Sequence, residues 1–201
     1  MINSPLIVVS LNEFDLCNCN FNIYTMKTLV IIIHPTLENS LINKRWIEEL
    51  KKYPKQYTLH NLYSLYPDEK IDVEKEQQLI EAHDRIVFQF PFYWFNCPPL
   101  LKKWLDEVFT YGWAYGSTSG YKVANKKIAL AISAGITKED YSAGGRYKYT
   151  LEQLTTPFEV TFNYVKANYR PLFAFYNAEN NPSTESIEEN AKEYIAFLEA
   201  L

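Results

Sequence analysis

The chain has 201 residues, enough for one domain or one with an appendage, and too few for a multidomain machine. Hydrophobic residues make up 47% and charged residues 22%, so a real core can be buried and wholesale disorder is excluded. Twenty basic against 24 acidic side chains give −4, which offers no basic field for nucleic acid or anionic lipid, and the longest apolar runs, Leu6–Val9 and Leu29–Ile33, fall far short of the roughly 20 residues that span a bilayer.

Residues 1–25 contain neither Lys nor Arg, so they lack the basic start of a signal peptide, and Asp15 spoils a lipoprotein-like site before Cys17. No export is expected. Met26 stands directly before the strongest β run, so the domain is expected to span 26–201. The 1–25 segment is then an added tail or a translation start placed too early, and no chemistry is assigned to it. Three Cys form no zinc-ligand array and leave one thiol over in any disulfide scheme, which fits a reducing cytoplasm.

From Met26 the signals alternate. Thr28–Ile33 reads as a strand, His34-Pro35-Thr36 as a turn, and Ser40 as the cap of a helix with Leu41, Trp46, Ile47 and Leu50 on one face. Gln56–Leu62 is the second strand, and 73–82 the second helix, with Glu74, Glu76 and Glu81 expected outward. Arg85–Phe90 is the third strand, and Leu100–Thr110 the third helix, behind Pro98-Pro99. A long loop with Gly112, Gly116 and Gly120 leads to a fourth strand, Lys127–Ser133. After another loop, a helix from Thr150 to about Asn163 and a β-like stretch Tyr169–Tyr176 follow. Ser186-Ile187-Glu188-Glu189 has capping-box spacing and opens a last helix with Ile187, Ala191, Tyr194, Ile195 and Leu198 on its apolar face. Alternating βα units imply a parallel sheet covered on both faces: an α/β fold.

In such a sheet, ligands settle beyond the carboxyl ends of the strands at the switch point, beside strands one and three of a five-stranded flavodoxin-like order. Three loops therefore matter: His34–Asn43, Pro91–Pro99 and Ser133–Tyr149. The first runs into a helix whose free amides near Leu41, Ile42 and Asn43, with Ser40 and His34, suit a phosphate; no Walker lysine or GxGxxG is present. A plain N-cap and a satisfied strand-end histidine would explain Ser40 and His34 equally well. The second loop carries four consecutive aromatics, Phe92-Tyr93-Trp94-Phe95, which suit a planar ring system. Cys97 has no His and acid partner and reads as a small buried filler, while His60 and His83 read as surface residues. No metal spacing connects them.

At these loops the sequence resembles the flavodoxin-like NAD(P)H:quinone oxidoreductases, a family that includes mammalian quinone reductases, bacterial modulator-of-drug-activity proteins and ancillary flavoproteins of glutathione-gated potassium efflux systems. The resemblance runs from about Lys27 to Leu201. Its most specific stretch is Ile86–Phe109, with Gln89-Phe90-Pro91-Phe92-Tyr93-Trp94-Phe95-Asn96-Cys97-Pro98-Pro99 at its centre, continuing to Gly112-Trp113-Ala114-Tyr115-Gly116.

This resemblance implies a three-layer sandwich on a five-stranded parallel sheet of order 2-1-3-4-5. It implies a flavin, FMN ahead of FAD, with the phosphate on His34, Ser40, Leu41, Ile42 and Asn43. The ring would lie against Phe92, Tyr93, Trp94 and Phe95, and a partial match to a Thr-Thr-Gly-Gly loop falls on Ser133, Ala134, Gly135 and Ile136. Tyr141 matches the family's catalytic tyrosine, whereas Tyr147 stands where long quinone reductases place a histidine. The implied activity is ping-pong hydride transfer from NAD(P)H through flavin N5 to a quinone-like acceptor. Relatives are homodimers, with Tyr111, Trp113, Tyr115 and Tyr121 as candidate lid residues. The alternative implied role is that of an ancillary subunit peripherally associated with a potassium efflux transporter.

Overall fold

The computed structural model describes residues 27–118 and 120–201; the expectation for residues 1–25 lies outside the described residues. Its elements in order are β1 (Thr28–Ile32), α1 (Leu41–Leu50), β2 (Tyr57–Asn61), α2 (Leu62–Leu65), α3 (Val73–Glu81), β3 (Arg85–Pro91), α4 (Pro99–Val108), β4 (Lys127–Ser133), α5 (Leu151–Leu154), α6 (Thr156–Tyr164), β5 (Asn168–Tyr169), β6 (Phe173–Phe175) and α7 (Thr184–Ala200). The sheet order is β2-β1-β3-β4-β5, with β6 also beside β4, and every pairing is parallel. The expected 2-1-3-4-5 order is present.

Strand alternation sorts the core into two layers. Leu29, Ile31, Ile86, Phe88, Phe90, Ile128, Leu130 and Ile132 face one side, where α4 contributes Leu101, Trp104 and Val108, and α6 contributes Phe158 and Phe162. Val30, Ile32, Val87, Ala129 and Ala131 face the other, under α1 and α7. The small residues of β4 on that side leave room for large rings: Trp46 lies 4.9 Å from Tyr194 and 5.5 Å from Phe173 between ring centroids.

The expected fifth strand is split. β5 pairs with the start of β4 and β6 with its end, and the break contains Pro171, which has no N–H for the ladder. The helix expected over 150–163 is broken at Thr155, whose hydroxyl bonds back to the Leu151 carbonyl at 2.9 Å ahead of Pro157.

Three surface assignments are corrected. Glu76 is fully buried and accepts hydrogen bonds from Tyr66 Oη (2.5 Å) and Trp104 Nε1 (2.9 Å) while pairing with His60 Nε2 (2.8 Å). His60 is accordingly buried, and so is His83, held by the Leu79 carbonyl (2.8 Å) and Thr58 Oγ1 (3.0 Å). Burial alone pushes the Glu76 carboxyl up, but the bonds from His60, Tyr66 and Trp104 together outweigh it and hold the group below its usual value.

Candidate functional site

The C-terminal ends of β1, β3 and β4 form one crest, and the three loops singled out from the sequence meet there. The chain leaves β1 at Ile33 and enters α1 through Ser40, whose extended backbone and side chain cap the helix: Ser40 Oγ accepts from the Asn43 amide at 3.1 Å. That bond removes Asn43 from the set of free amides expected there. Leu41 and Ile42 keep theirs without a partner among the described residues. Beside them the Thr36 amide donates to His34 Nδ1 at 3.1 Å. Burial lowers the His34 pKa, so the ring is neutral and carries its proton on Nε2, which leaves a donor for an acceptor in the pocket it lines. His34 and Ser40 are thus both cap or strand-end residues and pocket-lining residues.

Asn43 has a different task from the one expected. Fully buried, its Nδ2 donates to Ser133 Oγ at 2.8 Å, and its main-chain and side-chain carbonyls accept from Gln89 Nε2 at 3.2 and 3.3 Å. Tyr194 Oη closes the chain on Gln89 Oε1 at 3.3 Å. This polar network pins α1, β3, β4 and α7 together beneath the crest. Sequence reading missed Gln89 and Tyr194; the signal for Gln89 was a fully polar amide inside the apolar strand Ile86–Phe90.

The aromatic loop is a tight turn. The Asn96 amide donates to the Tyr93 carbonyl at 2.9 Å, and Trp94 and Phe95 both have positive φ, 49° and 59°, as in a type I′ turn. Trp94 is 94% exposed, and Tyr93 and Phe95 are each about two-fifths exposed, whereas Phe92, expected to present an open face, is buried against the core. The loop after β4 completes the wall. The Ala134 amide is spent on the Phe175 carbonyl, so the donors expected over 133–136 reduce to Gly135 and Ile136, whose amides have no partner among the described residues.

Two pockets result, and they adjoin. One is lined by His34, Ser40, Leu41, Ile42 and Ser133 among others. The second, of 720 Å³, is lined by Tyr93, Trp94, Phe95, Ile136, Tyr141 and Tyr147. Phe92, Tyr93, Gly135 and Glu179 line both. Tyr141 is buried against Phe92, Tyr147 and Tyr176, and burial above all pushes its hydroxyl up to about 12, so it stays a donor. The Phe95 and Tyr147 rings pack against each other in this lining, 5.0 Å between centroids.

On the other side of Trp94 runs an apolar groove of 730 Å³, lined by Trp94, Leu105, Phe109, Tyr115, Phe158 and Tyr164 with Cys97 at its edge. Cys97 is half-buried rather than core, with its thiol pushed up to about 11 chiefly by burial. Of the candidate lid aromatics, Tyr115 lines this groove and Tyr111 is 68% exposed, while Trp113 is tied to Glu81 (2.7 Å) and Tyr121 lies under Lys166. Among the described residues no group of three His, Cys, Asp or Glu could hold a metal ion, and no helix is long and apolar enough to cross a membrane.

A cradle of free donors at a helix start, beside an aromatic-lined pocket at the switch point of a 2-1-3-4-5 sheet, defines the class. The chain belongs to the family described as having a flavodoxin-like fold, which matches residues 26–198. Among curated proteins it is 50% identical over 175 residues to the uncharacterized NAD(P)H oxidoreductase YrkL of Bacillus subtilis, covering 87% of this chain and 99% of that one. It is 33% identical over 175 residues to the ancillary protein KefG of the glutathione-regulated potassium-efflux system of Yersinia pestis, covering 87% and 94%. Among solved structures, general stress protein 14 of Treponema denticola in complex with FMN superposes with a TM-score of 0.82 at 48% identity, covering 87% of this chain and 98% of that one. An NADPH-quinone reductase of P. pentosaceus gives 0.78 at 29% identity, covering 86% and 98%.

Proposed function

We propose that this protein is an FMN-dependent NAD(P)H oxidoreductase acting on a quinone-like acceptor. The observation that carries the reading is the adjacency of the two pockets, which share four lining residues: free amides of Leu41 and Ile42 with His34 Nε2–H in one, and an aromatic slot backed by free amides in the other. The residues present fit a phosphorylated flat cofactor, because each chemical part of it meets a matching donor or face. The FMN-bound structure of a 48% identical relative and the NAD(P)H oxidoreductase relative support the same assignment.

In this arrangement Leu41, Ile42, Ser40 and His34 hold the phosphate. Tyr93, Trp94 and Phe95 orient the ring. Bound FMN would supply two-electron hydride chemistry between NAD(P)H and the acceptor. The free Gly135 and Ile136 amides and the Tyr141 hydroxyl, which burial keeps protonated, would serve as donors to a ring held there. Tyr147 provides aromatic surface rather than a titrating histidine.

The groove beside Trp94 is where we place the homodimer contact: of its lining, Trp94 and Tyr164 are largely exposed, and exposed Tyr111 packs edge-on against the lining residue Tyr115. Because Trp94 lines both groove and ring pocket, a second copy seated there would cover the ring pocket. A cytoplasmic location, where NAD(P)H is supplied, completes the reading.

The test is reconstitution with FMN, followed by anaerobic NADPH or NADH and then menadione. Stoichiometric flavin uptake, bleaching by the pyridine nucleotide and recovery with the quinone are expected; failure to bind FMN refutes the reading. The KefG relative favours a second role, an ancillary subunit of a potassium efflux system. Flavin binding with negligible turnover and co-purification with the transporter would select it.

A further inference from the structure

Glu179 occupies a position that the activity above does not use. It follows β6, its amide bonded to the Gly135 carbonyl at 3.2 Å, and its side chain folds back over Gly135: a Cβ added there would lie 2.5 Å from the Glu179 carboxyl carbon. This puts the carboxylate at the junction of the two pockets, since Glu179 and Gly135 line both.

The rest of the lining is uncharged. Around both pockets the side chains are aromatic, aliphatic, hydroxyl or amide, apart from the neutral His34; no Lys or Arg lines either one. Arg146 stacks over the Tyr147 ring at 5.4 Å and lines neither of these two pockets. Glu179 has no ion-pair partner among the described residues. Its field reaches both walls: after burial, its charge contributes to raising the Tyr93 hydroxyl, and it is among the lesser causes that raise Tyr141.

A flavin ring is neutral when oxidised. Hydride addition at N5 delivers two electrons and one proton, and leaves one negative charge spread over N1 and the C2 carbonyl. A site whose sole full charge is a carboxylate therefore treats the two redox states differently. We infer that Glu179 is a charge-tuning residue, whose carboxylate makes the site hold the oxidised flavin more tightly than the reduced anion and so lowers the potential at which bound flavin is reduced. The inference rests on the flavin reading above and deepens it.

The experiment compares wild type, Glu179→Gln, Glu179→Ala and Glu179→Asp at pH 7. Dissociation constants are measured for oxidised FMN and for anaerobically reduced FMN, together with the midpoint potential of the bound cofactor. Because the carboxylate is solvent-exposed and partly screened, both neutral variants are expected to lower the reduced-to-oxidised ratio of dissociation constants by about fivefold, with Glu179→Asp within about twofold of wild type. At about 30 mV per tenfold for a two-electron couple, the midpoint rises by about 20 mV. Wild-type-like ratios in either neutral variant, with FMN still bound, overturn the inference and leave the flavin reading intact. Absence of FMN binding by the wild type overturns both.

Discussion

Asn43 Nδ2 donates to Ser133 Oγ at 2.8 Å across 90 residues of sequence, joining the start of α1 to the end of β4 under the crest. Since Gln89 also donates to Asn43 and Tyr194 to Gln89, the turn that offers free amides is held by a chain of buried bonds. Asn43→Ala leaves the Gln89 amide only the main-chain carbonyl of residue 43 as acceptor, removes a donor from Ser133 and opens a small buried cavity. It is expected to cost about 2–3 kcal/mol of unfolding free energy in urea titration and to weaken FMN binding by about tenfold, although Asn43 offers the ligand no free amide. A variant with full stability and weak binding would place Asn43 in direct contact with the ligand instead.

Glu76 makes acid stability readable at one site. Its ionised form accepts from Tyr66 and Trp104 and pairs with His60, and these bonds keep its folded-state pKa below the usual 4.5 despite burial. A depressed carboxyl stabilises the fold fully above its unfolded value, and that contribution is lost as pH falls through the folded value. Glu76→Gln should therefore be less stable than wild type by about 3 kcal/mol at pH 7, with the gap shrinking below about pH 4. Denaturation curves of both proteins from pH 7 to pH 3 check this; a constant gap would mean that shape, not charge, is what Glu76 contributes.

The same residue marks where sequence reading ran out. The sheet order, the three loops and the capping role of Ser40 were legible because strand alternation, helix spacing and cap chemistry are local signals. Glu76 was grouped with Glu74 and Glu81 as a solvated face, yet Glu74 and Glu81 are seven residues apart and share a face, while Glu76 lies two residues on and shares its face with Ile80, four residues further. The i, i+4 relation to Ile80, the buried hydrophobic residue of α3, was the available clue. Its partners His60, Tyr66 and Trp104 come from three other segments, and no spacing within one segment could announce them. In the site, likewise, which amides are free depends on long-range bonds such as Ala134 to Phe175, invisible in the loop's own residues.

Trp94 and Phe95 hold left-handed backbone conformations that cost each about 1 kcal/mol or more, in a turn where glycine would be relaxed. Trp94 is almost wholly exposed, so it repays none of that through the core. Trp94→Gly is expected to leave the fold equal or more stable, by up to about 1 kcal/mol, while FMN affinity and self-association both fall. Thermal melts, fluorescence titration with FMN and sedimentation velocity separate these outcomes. Lower stability together with unchanged binding and assembly would show that the turn serves the fold rather than the ligand.

Tyr141 sets a prediction in which pH is the discriminating variable. Its hydroxyl is pushed up to about 12, first by burial and then by the charges of neighbouring Tyr147, Tyr176, Glu179 and Asp140. Across about pH 6 to 10 it therefore remains a proton-bearing donor, where an unperturbed phenol would be half ionised at the upper end. Tyr141→Phe removes that donor while leaving the ring that packs on Phe92. It is expected to lower kcat/KM for the quinone half-reaction by about tenfold, with the wild-type to variant ratio constant over that whole range. Stopped-flow reoxidation at several pH values measures the ratio; one that collapses toward unity above about pH 9 would mean that the hydroxyl ionises normally and that burial does not protect it.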